Sequence, residues 1–300
     1  MTSRTERARG RLHLNLMDVC FILVVLVAGS WVWFRSSIGI AYNWDWARAL
    51  ATVVSAGGDG GTPYFLTGIY ATLRLSIWSA LMATVLGVLI GVGRRSKLSG
   101  LALLCSSYVQ VIRNIPPLVF IFIFYFFISN QLIPLMGLDG LLRGGFDERS
   151  GFWQFFFGPA RLWENLLSGV LCISFIGAAY IAEIVRAGIG AIPRGQWEAA
   201  ESLSLSTLDR YRFVIFPQAF ARVVPPLTGQ YISLVKDSSI VSLISIQELT
   251  FVGTEIANST GLIFEIWLLI AASYFLLCFV LSVTLRFVEQ RVTAHFLHAT

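Results

Sequence analysis

Six stretches of this chain are apolar for long enough to cross a bilayer, and no other feature restricts its fold as much. A helix needs roughly 20 apolar residues to span about 30 Å of hydrocarbon. The windows are Met17–Phe34, Ile69–Gly93, Ile115–Met136, Leu166–Arg186, Val223–Ile246 and Ile266–Val288. Composition agrees, with 56% of the 300 residues apolar, 13% charged and a mean hydropathy of +0.73. A soluble domain carries about 25% charged residues. One water-soluble core has no room for so much apolar surface, which excludes a cytosolic enzyme, a disordered regulator and a DNA-binding domain. The expected fold class is all-α, a polytopic membrane protein with six spans.

Lys and Arg placement sets the orientation of such spans. Arg4, Arg7, Arg9 and Arg11 precede the first window, and Arg94, Arg95, Lys97 and Arg113 follow the second. Arg194, Arg210, Arg212 and Arg222 follow the fourth, and Arg286 and Arg291 flank the C-terminus. The alternate loops are acidic or mixed: Asp45 and Asp59; Asp139, Asp147, Glu148 and Glu164; Glu248 and Glu255. Both termini in the cytoplasm satisfy this pattern. The net charge of +5 is thereby used up on topology, and no nucleic acid partner is expected. The first apolar stretch is longer than the 7–15 residues of a signal-peptide core, so it reads as an uncleaved span.

Cys20, Cys105, Cys172 and Cys278 are scattered through apolar runs, unlike a disulfide or zinc framework. They read as small buried hydrophobes. His295 and His298 read as part of a solvated tail, so no metal site is expected. Trp44, Trp46, Trp153, Phe155, Phe156, Phe157 and Trp163 suit a membrane–water interface. Arg74, a turn inside its span, reads as snorkelling to the headgroups. Gly87 and Gly91 form a GxxxG that permits close helix contact.

The chain has no GxxxxGK[ST] loop, no HExxH helix and no GxSxG elbow, so no catalytic residue is assigned. Such spans must use a gradient, a partner's ATP hydrolysis, or no energy source at all. The long segment after the fourth window begins Ile192-Pro-Arg194-Gly195-Gln-Trp-Glu198-Ala199-Ala200-Glu201-Ser-Leu-Ser204. It predicts a short helix from Gln196 to Leu203, with Glu198 and Glu201 near the positive end of the helix dipole. Ser206 with Asp209 looks like a capping box opening a second helix, which Pro217 stops.

This segment resembles the EAA motif of ATP-binding-cassette (ABC) importer permeases. Glu198-Ala199-Ala200 match it and Pro217 falls at the expected spacing, while Ser204 stands where the motif has Gly. Tyr180-Ile-Ala-Glu183-Ile-Val-Arg186-Ala-Gly188, Leu234-Val-Lys236-Asp237-Ser238-Ser239 and Tyr108-Val-Gln-Val-Ile-Arg113-Asn-Ile-Pro116 are similar to the polar amino acid group of that family (histidine, glutamate, arginine and opine permeases). The resemblance covers about residues 66 to 291.

It implies a type I permease fold: a five-helix core, preceded by an extra transmembrane helix within residues 1–65 and followed by a tail at 292–300. The coupling loop would lie at about 190–220. Arg194, Gly195, Glu198, Ala199, Ala200, Ser204 and Pro217 are then the residues expected to engage an ATPase, Glu198 through its charge and the alanines by close approach. The implied partners are two ATPase subunits, a second permease (homologous or identical), a periplasmic amino-acid-binding protein and the lipid bilayer of the bacterial inner membrane. ATP and Mg would be bound by the ATPase, leaving this chain with no cofactor of its own.

Charges inside a span are costly and usually face a cavity or a partner. Lys236 and Asp237 with Ser238, Ser242 and Ser245, the serines at i, i+4 and i+7, form a candidate translocation path for a zwitterion. A buried ion pair that fixes helix contacts is an equal alternative. Glu183 and Arg186, three apart, are expected to form a structural ion pair. The rival function is a gradient-driven secondary amino acid transporter, which predicts inverted repeats and leaves the loop helices without a role.

Overall fold

The computed structural model describes residues 16–39, 42–55, 62–135, 137 and 151–297. Arg4, Arg7, Arg9, Arg11, His13, Asp59, Met136, Asp139, Asp147, Glu148 and His298 lie outside the described residues, as does the side chain of His295. The chain divides into two units, residues 1–45 and 46–300. The first contains α1 (Leu16–Gly39), in which every described side chain is exposed. That is the expected state of an apolar helix solvated by lipid.

The second unit opens with α2 (Trp46–Val54), α3 (Tyr64–Gly93), α4 (Ser99–Asn114), α5 (Pro117–Ile123), a π turn over Phe124–Ser129 and α6 (Asn130–Leu135). It continues with α7 (Gly151–Phe157), α8 (Trp163–Gly190), α9 (Arg194–Ser202), α10 (Thr207–Asp209), a second π turn (Arg210–Ile215) and α11 (Phe216–Asp237). A 3₁₀ segment (Ser238–Ile244), α12 (Leu249–Thr260) and α13 (Ile263–Leu297) complete it. Among the described residues of the whole chain, four helices, α1 included, are long and apolar enough to cross a membrane, or up to six spans if each of two bent pairs counts as one.

The unit is organised on α3 and α8, whose 30 and 28 residues give lengths of about 45 and 42 Å at 1.5 Å per residue. Small residues let them touch along their length. A Cβ at Gly87 would lie 2.6 Å from Ile181, and one at Gly91 2.8 Å from the Ala182 carbonyl. From the other side Gly169 receives Leu75 and Gly177 receives Ala83. Numbers rise together on the two helices, so they run in the same direction, as two spans separated by one returning span must. Leu75, Ile173, Ile181, Ile189, Ile215 and Leu234 are fully buried around this seam.

Two windows differ from the sequence expectation. The third is not one straight span. α4, which the window omitted, meets α5 at 112°. Ile115 and Pro116 are extended at the elbow, because a proline forces its predecessor out of the helical region and two consecutive prolines remove two backbone donors. Ahead of the fifth, Pro217 does not end the helix opened by Ser206. It sits in the first turn of α11, directly after the π turn, where a missing N–H costs little. The chain stays helical from Thr207 to Ile244, then bends by 51° into α12.

α12 occupies what the charge pattern suggested was an acidic loop. Glu248 is fully buried at its N-terminus. Its Oε1 accepts the Phe251 N–H at 2.9 Å, and its Oε2 accepts from Tyr274 and, at 3.4 Å, from Thr72. Thr72 in turn accepts the Leu249 N–H at 3.0 Å. A carboxylate satisfied by a helix N-terminus and two hydroxyls needs no loop. Glu255 accepts from Tyr64 at 2.6 Å.

Arg74 has a partner within the protein. Its Nε donates to the Phe155 carbonyl at 2.6 Å, and Trp78 donates to Phe156 at 3.1 Å, so α3 caps the C-terminal carbonyls of α7. Trp163, expected in an interfacial belt, is buried and donates to the Gly158 carbonyl. Of the four cysteines only Cys172 is buried; Cys105 and Cys278 are half-buried and Cys20 is exposed.

Candidate functional site

Three places bring chemistry-bearing residues together. The first is the turn that follows α8. Arg222 donates to the Ala191 carbonyl, fixing the exit of α8, and Pro193 is extended ahead of α9. α9 begins at Arg194, two residues before its predicted start, so Arg194 and Gly195 form the first turn. Glu198 and Glu201 therefore fall mid-helix and near the C-terminal end, beyond the reach of the N-terminal dipole. Trp197 and Tyr211 meet edge to face with centroids 5.4 Å apart, Arg95 lies 6.0 Å from the Trp197 ring, and Gln218 donates to Gln196 at 3.0 Å. These contacts hold α9 against the start of α11.

The turn between α9 and α10 is a Schellman motif. Leu205 N–H donates to Ala200 at 3.3 Å and Ser204 N–H to Glu201 at 2.8 Å. Ser204 takes φ +54°, the left-handed conformation that glycine adopts freely and serine at a cost of about 1 kcal/mol. The turn thus keeps its shape without the glycine. Ser206 caps α10, accepting the Asp209 N–H at 3.2 Å while its hydroxyl donates to the Asp209 carboxylate at 2.6 Å. Arg210 lies 3.6 Å from Glu201.

Among the EAA residues, Glu198 and Ala199 are exposed and Ala200 is buried. Ala200 therefore packs α9 onto its own chain and offers no outward surface, a correction to the expected close approach of both alanines. Leu203 and Leu208, each 74% exposed, flank the turn as an apolar tip. The sequence reading missed them; their signal was an apolar residue on each side of a polar turn.

The second place is the end of α11. Lys236 is exposed in its last turn and Asp237 is half-buried. The serines do not make the expected α-helical stripe, because residues 238–244 are 3₁₀. A 3₁₀ helix repeats every three residues, so Ser238 aligns with buried Val241 and Ile244 and Ser242 aligns with Ser239, while Ser245 lies past the segment at φ +62°. Ser238 donates to Val235, Ser239 to Lys236 and Ser242 to Ser239, each at 2.7 Å. A cavity of about 570 Å³ opens between α3, α11 and α13, lined on α11 by Tyr231 and Val235 and by none of Lys236, Asp237 or the serines after them. Its lining is apolar apart from Ser76, Thr84 and Tyr231, the last two hydrogen-bonded at 2.8 Å.

The third is Glu183. It pairs with Arg186 as expected, and also with Arg94 at the end of α3, with Arg113 at 3.7 Å. The arrangement is a cluster of three cations on one carboxylate. No group of three or more His, Cys, Asp or Glu that would suit a metal occurs among the described residues.

Up to six helical spans with an exposed helix between two of them define a multi-pass membrane protein. The chain belongs to the family described as the binding-protein-dependent transport system inner membrane component, whose model matches residues 83–294. It is 31% identical over 228 residues to the probable glutamine ABC transporter permease protein GlnM of Bacillus subtilis (strain 168), covering 76% of this chain and 93% of that one. It is 29% identical over 259 residues to the glutamate/aspartate import permease protein GltJ of Escherichia coli (strain K12), covering 84% and 96%. The crystal structure of an amino acid ABC transporter with histidines superposes with a TM-score of 0.64 at 29% identity, covering 83% of this chain and 100% of that one. An inward-facing MetNI methionine ABC transporter shares the fold, with a TM-score of 0.53 at 19% identity over 78% and 96%. The chain is a permease of the ABC importer class.

Proposed function

We propose that this permease carries polar L-amino acids across a bacterial inner membrane by alternating access, driven by ATP hydrolysis on two partner ATPase subunits that bind the ATP and Mg. In this reading both termini are cytoplasmic, residues 66–291 form the permease unit, and residues 1–65 add a helix to the usual five. A second permease subunit completes the path and a periplasmic amino-acid-binding protein delivers substrate.

The observation that carries the coupling role is the construction of α9. A short helix pinned by Trp197–Tyr211, Gln196–Gln218 and a Schellman turn moves as a rigid body, and a rigid body transmits motion that a loose loop absorbs. It leaves Glu198, Ala199 and the Leu203/Leu208 tip free to meet the ATPase. Lys236 and Asp237, at the C-terminal end of α11, are the groups proposed to meet the substrate, the lysine its carboxylate and the aspartate its ammonium. A gradient-driven carrier gives the pinned helix nothing to do.

The test is co-purification of a tagged chain from its native membrane, wild type against Glu198→Arg. An ATPase retained with wild type and lost with the variant supports coupling through α9. Its absence from the wild-type preparation in several mild detergents overturns the ATP-driven reading. For the path, Asp237→Lys should abolish uptake; unchanged uptake kinetics would remove Asp237 from it.

A further inference from the structure

Glu183 has two carboxylate oxygens, and both are taken. Arg186 closes on Oε1 through two nitrogens, and Arg94 holds Oε2 while its own Nε donates to Ser106 at 3.4 Å. Arg113 arrives at 3.7 Å from Oε2, beyond hydrogen-bond reach, with its guanidinium 5.5 Å from the Tyr180 ring centroid. Its side chain is 41% exposed, against 12% for Arg94. Three guanidiniums thus face one carboxylate, and Arg113, at the longest of the three distances, is ion-paired with it without a hydrogen bond. The cluster lies at the end of α3 and α8 that leads into α9. It also lies at the α4–α5 elbow, where Val111, Leu118 and Val119 are exposed apolar neighbours.

We propose that this corner binds a phosphate-ester anion, the headgroup of an anionic phospholipid, through Arg113 with Arg186 beside it. A guanidinium fork matches two phosphate oxygens, and basic pockets between spans hold anionic headgroups. The exposed valines and leucine at the elbow give the acyl chains an apolar surface, which a free phosphate would not use. This site is independent of the coupling helix and of the substrate path.

The experiment is native mass spectrometry of the full chain, purified with its partners in mild detergent and offered equal amounts of phosphatidylglycerol and phosphatidylethanolamine. A parallel sample contains excess inorganic phosphate. Wild type should retain phosphatidylglycerol preferentially. Arg113→Gln should lower that preference about fivefold, the contribution of one basic residue near an anionic surface, and Arg113→Lys should keep most of it. Glu183→Gln, which removes the competing anion, should raise it. If that variant fails to fold, Arg113→Gln still decides, because this exposed side chain makes no hydrogen bond that folding requires. Phosphate binding that depends on Arg113, without preference between the lipids, supports the anion site and overturns the lipid source. Equal retention of both lipids by wild type and Arg113→Gln, with no phosphate effect, overturns the site.

Discussion

α1 and α8 are almost equally hydrophobic, with mean hydropathies of 2.1 and 1.9 over their apolar segments, yet none of the first is buried and 72% of the second is. Hydropathy says that a helix belongs in a bilayer; it does not say what the helix touches. In lipid the tails are as apolar as leucine, so association depends on how closely backbones approach. α8 carries Gly169, Gly177, Ala178, Ala179, Ala182 and Gly188 along its length, and most of these meet another helix at contact distance. Leu, Val, Phe and Trp dominate α1, and its central Gly29 has nothing within 4 Å of the Cβ it lacks.

The largest expected effect tests that seam directly. Gly87→Leu places atoms where Ile181 already stands, and should destabilise the chain by about 3 kcal/mol, read as a lower unfolding temperature in detergent. An unchanged unfolding temperature would show that α3 and α8 separate without loss, and the contrast with α1 would collapse. Next is Glu248→Ala at the start of α12, which strands the Phe251 N–H and takes one partner each from Tyr274 and Thr72. The expected loss is about 2–3 kcal/mol, while Glu248→Gln should keep part of the network and lose less.

A gain is expected at the loop. Ser204→Gly should stabilise the Schellman turn by about 0.5–1 kcal/mol, measured as slower hydrogen exchange of the Leu205 amide. Ser204→Val should speed it, and no difference between the three would place the strain elsewhere. Smallest is Gly29→Leu on α1, expected to change unfolding by no more than about 0.5 kcal/mol. A loss matching that of Gly87→Leu would mean that α1 is a partnered helix after all.

Much was legible from residue order because it depends on local chemistry. The apolar windows mark the spans, the GxxxG of Gly87 and Gly91 marks a contact face, and the EAA pattern with Ser206 and Asp209 marks the loop and its cap. The departures share one cause, that a local rule ignores what tertiary neighbours supply. Pro217 reads as a stop, but a π turn delivers the chain to it at the one helical position where its missing N–H is harmless. Ser238, Ser242 and Ser245 read as a stripe only at 3.6 residues per turn, and the segment winds at three. Glu248 reads as a loop acid, but Thr72 and Tyr274 arrive from α3 and α13 to bury it. Ala200 reads as an outward contact, but Trp197 and Tyr211 turn it inward.

The sequence by itself determined that this chain lives in a membrane, roughly how many times it crosses, and where its helical loop and ionic residues lie, since hydrocarbon thickness and backbone satisfaction act on each segment alone. Only the tertiary structure decided that Arg94 and Arg113 would join the Glu183–Arg186 pair, that α3 and α8 would run side by side, and that a cavity would open between α3, α11 and α13. Those facts depend on which backbones come within reach of one another, a property of pairs of helices that no single stretch of sequence contains.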